Sequence, residues 1–147
     1  MDLNPLLTFF ENIGINYQFA HDPFPAIWEK FMFIAAYGLV TAQTGKTVGE
    51  VFVDEESKDC IQSIMGEIAS IAKRKKIELP ENIIANSMAK GKQFPFNTKT
   101  SYQRDVEQTG RKNESDLFGG AIIRQGRTLG IPTPVTESIY SKIKNKG

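Results

Sequence analysis

Side chains that could take part in catalysis stand beside apolar segments at two places in the sequence. Lys30 lies near the start of the stretch AIWEKFMFIAAYGLVTA, and Ser101, Asp105 and Glu114 lie within SYQRDVEQTGRKNESD. A lysine ammonium that is partly removed from water gives up its proton more readily and can act as a general acid. Ser101 and Asp105 are four residues apart and share one face of a helix. The two segments are therefore candidates for the two halves of one active site.

Each of these residues also has a structural explanation. Lys30 could be a lysine at the rim of the domain, with its alkyl stem packed and its ammonium in water. Ser101 and Asp105 could belong to an ordinary exposed helix face, and Glu114 could complement the dipole of the helix that it begins. The types of these residues leave both explanations open.

Other chemical motifs are incomplete. Thr44-Gly45-Lys46-Thr47 is similar to the end of a phosphate-binding loop, but Val40 stands where that motif requires a glycine. No G-x-G-x-x-G fingerprint for a dinucleotide occurs in the sequence. His21 has no cysteine or second histidine at ligand spacing, so we expect no metal site. The basic run from Lys73 to Lys76 lacks interleaved aromatic residues, which favours a solvated helix end over a nucleic-acid patch.

The composition is typical of one globular domain. The chain has 147 residues, of which 40% are hydrophobic and 24% charged, and its net charge is +1. One cysteine, Cys60, fits a reducing compartment such as the cytoplasm. The acidic start MDLNPLLTFFENIG does not resemble a signal peptide. The longest uncharged, mostly apolar run, Phe31 to Thr44, is shorter than the roughly 20 residues that span a bilayer, so we expect no membrane partner.

The hydrophobic pattern predicts a string of helices, which places the fold in the all-α class. Asn4 and Pro5 predict the start of a helix that ends at Gly14, and residues 15–19 could form a short strand. The next predicted helix, from about Pro25 to Thr44, is apolar on nearly all sides and should be central. After an N-cap at Asp54, a third helix should bury a stripe of isoleucines at positions 61, 64, 68 and 71.

Four more helices are predicted in the second half of the chain, at about 80–90, 98–109, 113–129 and 136–144. The pair Gly119-Gly120 indicates close packing against a neighbour. Pro132 and Pro134 indicate an extended segment before the last helix. That helix should bury a stripe formed by Val135, Ile139 and Ile143.

The chain resembles the C-terminal domain of ketopantoate reductase (2-dehydropantoate 2-reductase). The resemblance begins with IWEK, continues along that helix to LVTA and to Gly49-Glu50, and resumes in TSYQRDVEQTGRKNESDLFGGAIIRQGRTLGIPTPVTESIY. The family pattern in this second segment is a serine, an aspartate four residues later, a basic stretch, a glutamate, an aspartate, a glycine, a helix and G-[IV]-P-x-P. The chain has these pieces in the same order and at similar spacing.

The resemblance implies a function that needs two domains. Members of the family join an N-terminal Rossmann domain, which binds NADPH, to a multi-helix domain like the C-terminal domain of 6-phosphogluconate dehydrogenase, and a 2-keto acid lies between them. By this resemblance, Lys30 protonates or polarises the keto oxygen and Glu114 assists it. Ser101 and Asp105 hold the substrate and orient its neighbours. NADPH belongs to the complete enzyme, and we expect no cofactor or metal bound to this chain alone.

Two features depart from the family pattern. The family lysine is usually followed by asparagines four and eight residues later, where this chain has Ile34 and Gly38. Both positions lie on the helix strip that contains Lys30, so they should face the substrate without an amide donor. We therefore expect a 2-keto acid with a bulkier apolar tail than ketopantoate. The spacing from Asp105 to Glu114 is also one residue longer than usual, which could displace Glu114.

The resemblance leaves two functional hypotheses. Residues 1–22 are predicted to be a junction segment with a short helix and an extended lead-in, and residues 23–147 the helical domain. The chain is then the substrate-binding half of a reductase, inactive alone, either separated from a longer enzyme or naturally shorter. The alternative is a non-catalytic dimerisation or ligand-binding module. An uncovered cleft face predicts a homodimer, with no nucleic-acid partner.

Overall fold

The structure is a computed structural model that describes residues 23–109 and 116–146. This part contains no strand, which confirms the all-α class. The helix predicted to end at Gly14 and the possible strand after it lie outside the described residues. A 3-10 turn at Lys90–Gln93 follows α4, and a π-helical segment at Asp116–Gly120 precedes α6. The seven α-helices of the described part are α1 Pro23–Thr44, α2 Val48–Val53, α3 Glu55–Arg74, α4 Ile83–Ala89, α5 Ser101–Thr109, α6 Ala121–Leu129 and α7 Pro134–Lys146.

Helix α1 is the centre of the domain, as its all-round apolar surface predicts. It packs against α3, α5 and α7, and less extensively against α2 and α4. Its large side chains Trp28, Phe31, Met32, Tyr37 and Leu39 are almost completely buried. A helix surrounded in this way is a rigid frame on which the neighbouring helices are positioned.

Helix α3 begins and packs as its sequence predicts. The Asp54 carboxylate accepts hydrogen bonds from the Ser57 backbone N–H at 3.0 Å and from the Ser57 hydroxyl at 2.6 Å. Such an N-cap satisfies donors that have no partner within the helix. The isoleucine stripe at positions 61, 64, 68 and 71 is completely or almost completely buried.

One short helix, α2, was not predicted. It begins at a capping box, in which the Glu50 N–H donates to the Thr47 hydroxyl at 3.2 Å and the Thr47 N–H donates to the Glu50 carboxylate at 2.9 Å. Helices this short are marginal without tertiary support. The T-x-x-E spacing in the sequence is the local signal for this start.

Several predicted boundaries were wrong by a few residues. Helix α1 begins at Pro23 rather than about Pro25, and α5 begins at Ser101 rather than Thr98. Helix α4 begins at Ile83, and its last predicted residue belongs to the 3-10 turn. Helix α7 begins at Pro134, because proline is well suited to the first turn of a helix.

The helix predicted over residues 113–129 is described only from its fourth residue. It is π-helical over Asp116–Gly120 and α-helical over Ala121–Leu129. The predicted close packing is confirmed at Gly119, since Tyr140 of α7 occupies the space that a Cβ atom would need. The predicted stripe of α7 is confirmed as well, with Ile139 and Ile143 buried and Val135 packed against the core.

Helix α7 is held to α3 by a carboxylate. Glu67 of α3 accepts hydrogen bonds from the backbone N–H of Val135 at 2.9 Å and from that of Thr136 at 3.0 Å. It also accepts one from the Thr136 hydroxyl at 2.6 Å. A carboxylate at this position satisfies the free donors of the first turn and complements the positive end of the helix dipole.

Candidate functional site

A cavity of about 390 Å³ lies beside α1 and gathers three of the predicted site residues. Ile34 and Gly38 line it from α1, and Ser101 lines it from the first turn of α5. The remaining walls come from Phe33 and Tyr37 of α1, from Val48 of α2, from the chain between residues 94 and 104 and from Phe118. Residues from the two segments that were predicted to form one site therefore meet at one cavity.

The start of α5 is fixed by a capping box of its own. The Gln103 N–H donates to the Thr100 hydroxyl at 3.1 Å, and the Thr100 N–H donates to the Gln103 side-chain oxygen at 3.3 Å. The hydroxyls of Thr100 and Thr41 are 2.9 Å apart, which ties this cap to α1. The buried Gln103 amide also donates to the Lys46 carbonyl at 2.9 Å. These bonds set the orientation in which Ser101 faces the cavity.

The loop between the 3-10 turn and α5 forms another wall. Its backbone is bound to the start of α2, since Val48 N–H donates to the Thr98 carbonyl at 2.8 Å and Gly49 N–H donates to the Phe96 carbonyl at 3.0 Å. A Cβ atom on Gly49 would lie only 2.7 Å from that carbonyl oxygen. Glycine at position 49 therefore permits the close approach that holds this wall in place.

Aromatic rings give the cavity an apolar character. Phe94 of the loop stacks on Phe33 of α1, with ring centroids 5.7 Å apart and planes at 12°. Tyr102 and Phe118 meet edge to face at 5.0 Å. Tyr37 donates its hydroxyl to the Met88 carbonyl at 2.7 Å, and burial raises the pKa of Tyr37 to about 12, so the phenol stays neutral. Such walls favour an apolar group of the ligand.

Lys30 lies at the edge of this arrangement. It is exposed and does not line the cavity, while Ile34, which does, follows four residues later, about 6 Å along the helix axis. Among the described residues its ammonium has no ion pair, whereas the neighbouring Glu29 pairs with Lys90 at 2.9 Å. The described residues therefore do not supply the desolvation of Lys30 that its predicted catalytic role would require.

Two of the predicted site residues are not located by the structure. Asp105 lies within α5, but its side chain is outside the described part, and Glu114 lies outside it altogether. The predicted displacement of Glu114 therefore stays a prediction. Of the six site residues, the structure brings Ile34, Gly38 and Ser101 together and leaves Lys30 exposed beside them.

Sequence reasoning missed most of the side chains that line the cavity, among them Phe33, Phe94 and Arg104. A signal for Arg104 was present, because it follows Ser101 by three residues and therefore shares its helix face. Nothing comparable indicated Phe94, because its ring belongs to a loop whose path depends on the contacts with α2.

Other kinds of site find less support in residues 23–109 and 116–146. No three His, Cys, Asp or Glu side chains there gather closely enough to hold a metal ion. None of the helices in this part is long and apolar enough to cross a membrane. Cys60 is partly buried, and burial raises the pKa of its thiol, which lowers the fraction of reactive thiolate. We therefore take the cavity as the candidate site.

Two curated proteins are similar in sequence to the chain. An uncharacterized oxidoreductase of Bacillus subtilis, YkpB, is 25% identical over 118 residues, which cover 80% of this chain and 39% of that protein. A 2-dehydropantoate 2-reductase of Streptococcus pyogenes is 26% identical over 133 residues, which cover 88% of this chain and 43% of that protein. The chain thus spans only about two fifths of the length of these relatives.

Solved structures share the fold. The 2-dehydropantoate 2-reductase of Methylococcus capsulatus has a TM-score of 0.76 at 27% identity, with 96% of this chain and 46% of that chain covered. A D-mandelate dehydrogenase solved with NADH and anilino(oxo)acetate has a TM-score of 0.78 at 22% identity, with 96% and 78% covered. The family model described as "Ketopantoate reductase PanE/ApbA C terminal" matches residues 24–147. The predicted resemblance is thereby confirmed, and the chain belongs to the family of ketopantoate reductase C-terminal domains.

Proposed function

We propose that the chain is the substrate-binding and catalytic helical half of an NADPH-dependent 2-keto acid reductase, inactive without a Rossmann half. The observation that carries the proposal is that the two segments with the family pattern, one on α1 and one on α5, meet at one cavity. The division into a junction at residues 1–22 and a helical domain at 23–147 is part of the same proposal.

In this proposal each predicted site residue has a chemical role. A ketone that becomes an alkoxide requires a donor where negative charge develops, and Lys30 at the cavity edge is that donor. Glu114 supports Lys30 in a hydrogen-bonded network, and Ser101 and Asp105 hold the substrate. Ile34 and Gly38 border the tail of the substrate. The nicotinamide supplies the hydride.

The cofactor would be held by another domain. A dinucleotide requires a glycine-rich loop at a helix start, and this sequence has no such fingerprint. The residues of this chain therefore do not fit NADPH by themselves, and their part is to bind the keto acid and move the proton. We further propose a cytoplasmic homodimer. Its support is the exposed side chains Val53 and Phe96, since exposed apolar groups favour association.

Expression of the complete open reading frame that contains these residues tests the proposal. NADPH oxidation would be followed by absorbance with a panel of 2-keto acids that includes ketopantoate and phenylpyruvate. We expect turnover with at least one of them and none from residues 23–147 alone. Absence of turnover with the whole panel would overturn the proposed reductase.

A non-catalytic ligand-binding module is the second candidate. It is favoured by the exposure of Lys30 and by the apolar residue and the glycine at the positions where the family usually has amides. Calorimetric titration of the same protein with the same acids separates the two functions. Binding without turnover supports the module, and binding with turnover supports the reductase.

A further inference from the structure

The proposed ligand, a 2-keto acid, brings a carboxylate into a cavity that is lined by five aromatic side chains. A carboxylate that leaves water needs a cation or several hydrogen-bond donors. Ile34 and Gly38 have no side-chain hydrogen-bond donor for this carboxylate. The phenylalanine rings of the wall have none either. Within this chain, a group that binds the carboxylate has to come from elsewhere on the cavity wall.

Two cationic side chains line the cavity, and within the described part of the chain only one of them is free to bind a ligand carboxylate. Lys99 is held by Glu107, with its ammonium 2.7 Å from the carboxylate oxygen. Arg104 is exposed, and its guanidinium forms no ion pair or hydrogen bond with any described residue. An arginine presents a planar set of donors that matches a carboxylate in two parallel hydrogen bonds.

Arg104 also has a suitable neighbour. Ser101 lies three residues before it on α5, so the two side chains project from one helix face, and both line the cavity. The capping box at Thr100 and the bond from Gln103 to the Lys46 carbonyl hold this face toward α1. The Ser101 hydroxyl has no hydrogen bond to a described residue and can donate to the same anion.

We infer that Arg104, with Ser101, binds the substrate carboxylate, and that the wall formed by Phe33, Ile34 and Phe94 selects 2-keto acids with an aromatic tail. The inference rests on the proposed function for the identity of the ligand. The stacked pair Phe33 and Phe94 places two aromatic rings on the cavity wall, where an aromatic group of the ligand could pack. Gly38 adds room, because a Cβ there would fill space beside Tyr102, at 3.5 Å, and Phe118, at 3.9 Å.

Kinetics of the complete protein with phenylpyruvate test the role of Arg104. We expect Arg104→Gln to raise KM by roughly 10- to 100-fold, the usual effect of removing one charged hydrogen-bond partner, with a smaller change in kcat. Arg104→Lys should recover part of the loss, because it retains the charge but not the paired geometry. As a matched control, Arg74→Gln changes an exposed arginine at the end of α3, outside the cavity, and should leave KM unchanged.

The methyl ester of phenylpyruvate distinguishes a carboxylate contact from a structural role. The ester lacks the charge that Arg104 would bind, so the wild-type protein should handle it as poorly as Arg104→Gln handles the acid. Arg104→Gln should then cause no further loss with the ester. Equal losses with acid and ester would show that Arg104 only supports the fold and would overturn the assignment.

Phe94→Ala tests the aromatic tail. It should lower kcat/KM for phenylpyruvate several-fold more than for ketopantoate, because stacking with a ring is lost. A wild-type preference for ketopantoate over phenylpyruvate would overturn this part of the inference.

The outcomes separate the inference from the proposed function. Turnover that is insensitive to Arg104→Gln would overturn the inference and leave the reductase intact. If no acid is turned over, calorimetric binding of phenylpyruvate decides: weakening by Arg104→Gln supports the carboxylate site in a non-catalytic module. Undetectable or unaffected binding overturns it.

Discussion

Helices α5 and α7 begin in contrasting ways. The backbone donors at the start of α7 are bound by a residue far away in the sequence. Glu67 of α3 accepts hydrogen bonds from the N–H groups of Val135 and Thr136 and from the Thr136 hydroxyl. The start of α5 is satisfied locally by Thr100 and Gln103. On the cavity face of α5, Ser101 and Arg104 keep side chains without a hydrogen bond to the described residues.

The difference separates polar groups that stabilise the fold from groups available to a ligand. Removing a partner from a satisfied network leaves donors unpaired, which lowers stability. Removing an exposed side chain without partners usually changes stability by less than about 0.5 kcal/mol. Substitutions on the cavity side should therefore change activity and leave the free energy of unfolding nearly constant. Substitutions at Glu67 should lower the free energy of unfolding and leave activity nearly constant.

The largest expected effect is on the cavity side, at Lys30. In the proposed complete reductase, Lys30→Ala should lower kcat by about 100- to 1,000-fold, the usual loss of one donor to a developing oxyanion, and raise KM less. Because Lys30 is exposed, the free energy of unfolding should hardly change. Steady-state kinetics and urea unfolding of the same variant measure both. Unchanged turnover would identify Lys30 as a rim lysine only.

The opposite pattern is expected at the start of α7. Glu67→Ala removes the acceptor of three hydrogen bonds and should lower the free energy of unfolding by about 2–3 kcal/mol. KM for the keto acid should stay the same. Urea unfolding measures the change, with Glu81→Ala as the control because Glu81 is exposed and bonds to no described residue. Equal stability of the two variants would remove the contrast between α5 and α7.

A substitution at Gly49 should affect both stability and ligand binding, because glycine at this position lets the loop that forms the cavity wall pack against α2. Gly49→Ala places a Cβ against Phe96 and should cost about 1–3 kcal/mol of stability while weakening keto acid binding. Gly66→Ala is a suitable control, since nothing lies within 4 Å of its Cβ and alanine favours the helix. Thermal unfolding and calorimetry measure the two effects. A Gly49→Ala protein that binds normally would show that the loop adjusts freely.

The smallest expected effect concerns the pH dependence of stability at Asp54. Its pKa is lowered to about 2 by a hydrogen bond from Lys46 and by hydrogen bonds from Ser57. Because the folded pKa lies below the unfolded value of about 3.9, the stabilisation is present above that value and is lost as the pH falls through about 2. Asp54→Asn should flatten the stability profile between about pH 4 and 2. Unfolding curves in that range, with Asp59→Asn as an exposed control, test this.

The sequence was sufficient where the relevant contacts are local or periodic. The isoleucine stripe of α3 follows from helical spacing, and its start follows from the N-cap at Asp54. The nearly all-round apolar surface of α1 indicated a central helix. The order of motifs from IWEK to G-I-P-T-P indicated the family that the match over residues 24–147 confirms.

Only the tertiary structure decided which faces meet. Helical periodicity places Ser101 and Arg104 on one face but does not name the helix that lies opposite. That pairing depends on long-range hydrogen bonds, such as the one between Thr41 and Thr100. It also depends on the loop that packs against α2 at Gly49. The three bonds to Glu67 likewise join residues far apart in the chain. The sequence thus determined the helices and the family, whereas packing of distant segments determined the cavity. The reason is that the residues opposite a helix face come from distant parts of the chain and meet it only in the folded structure.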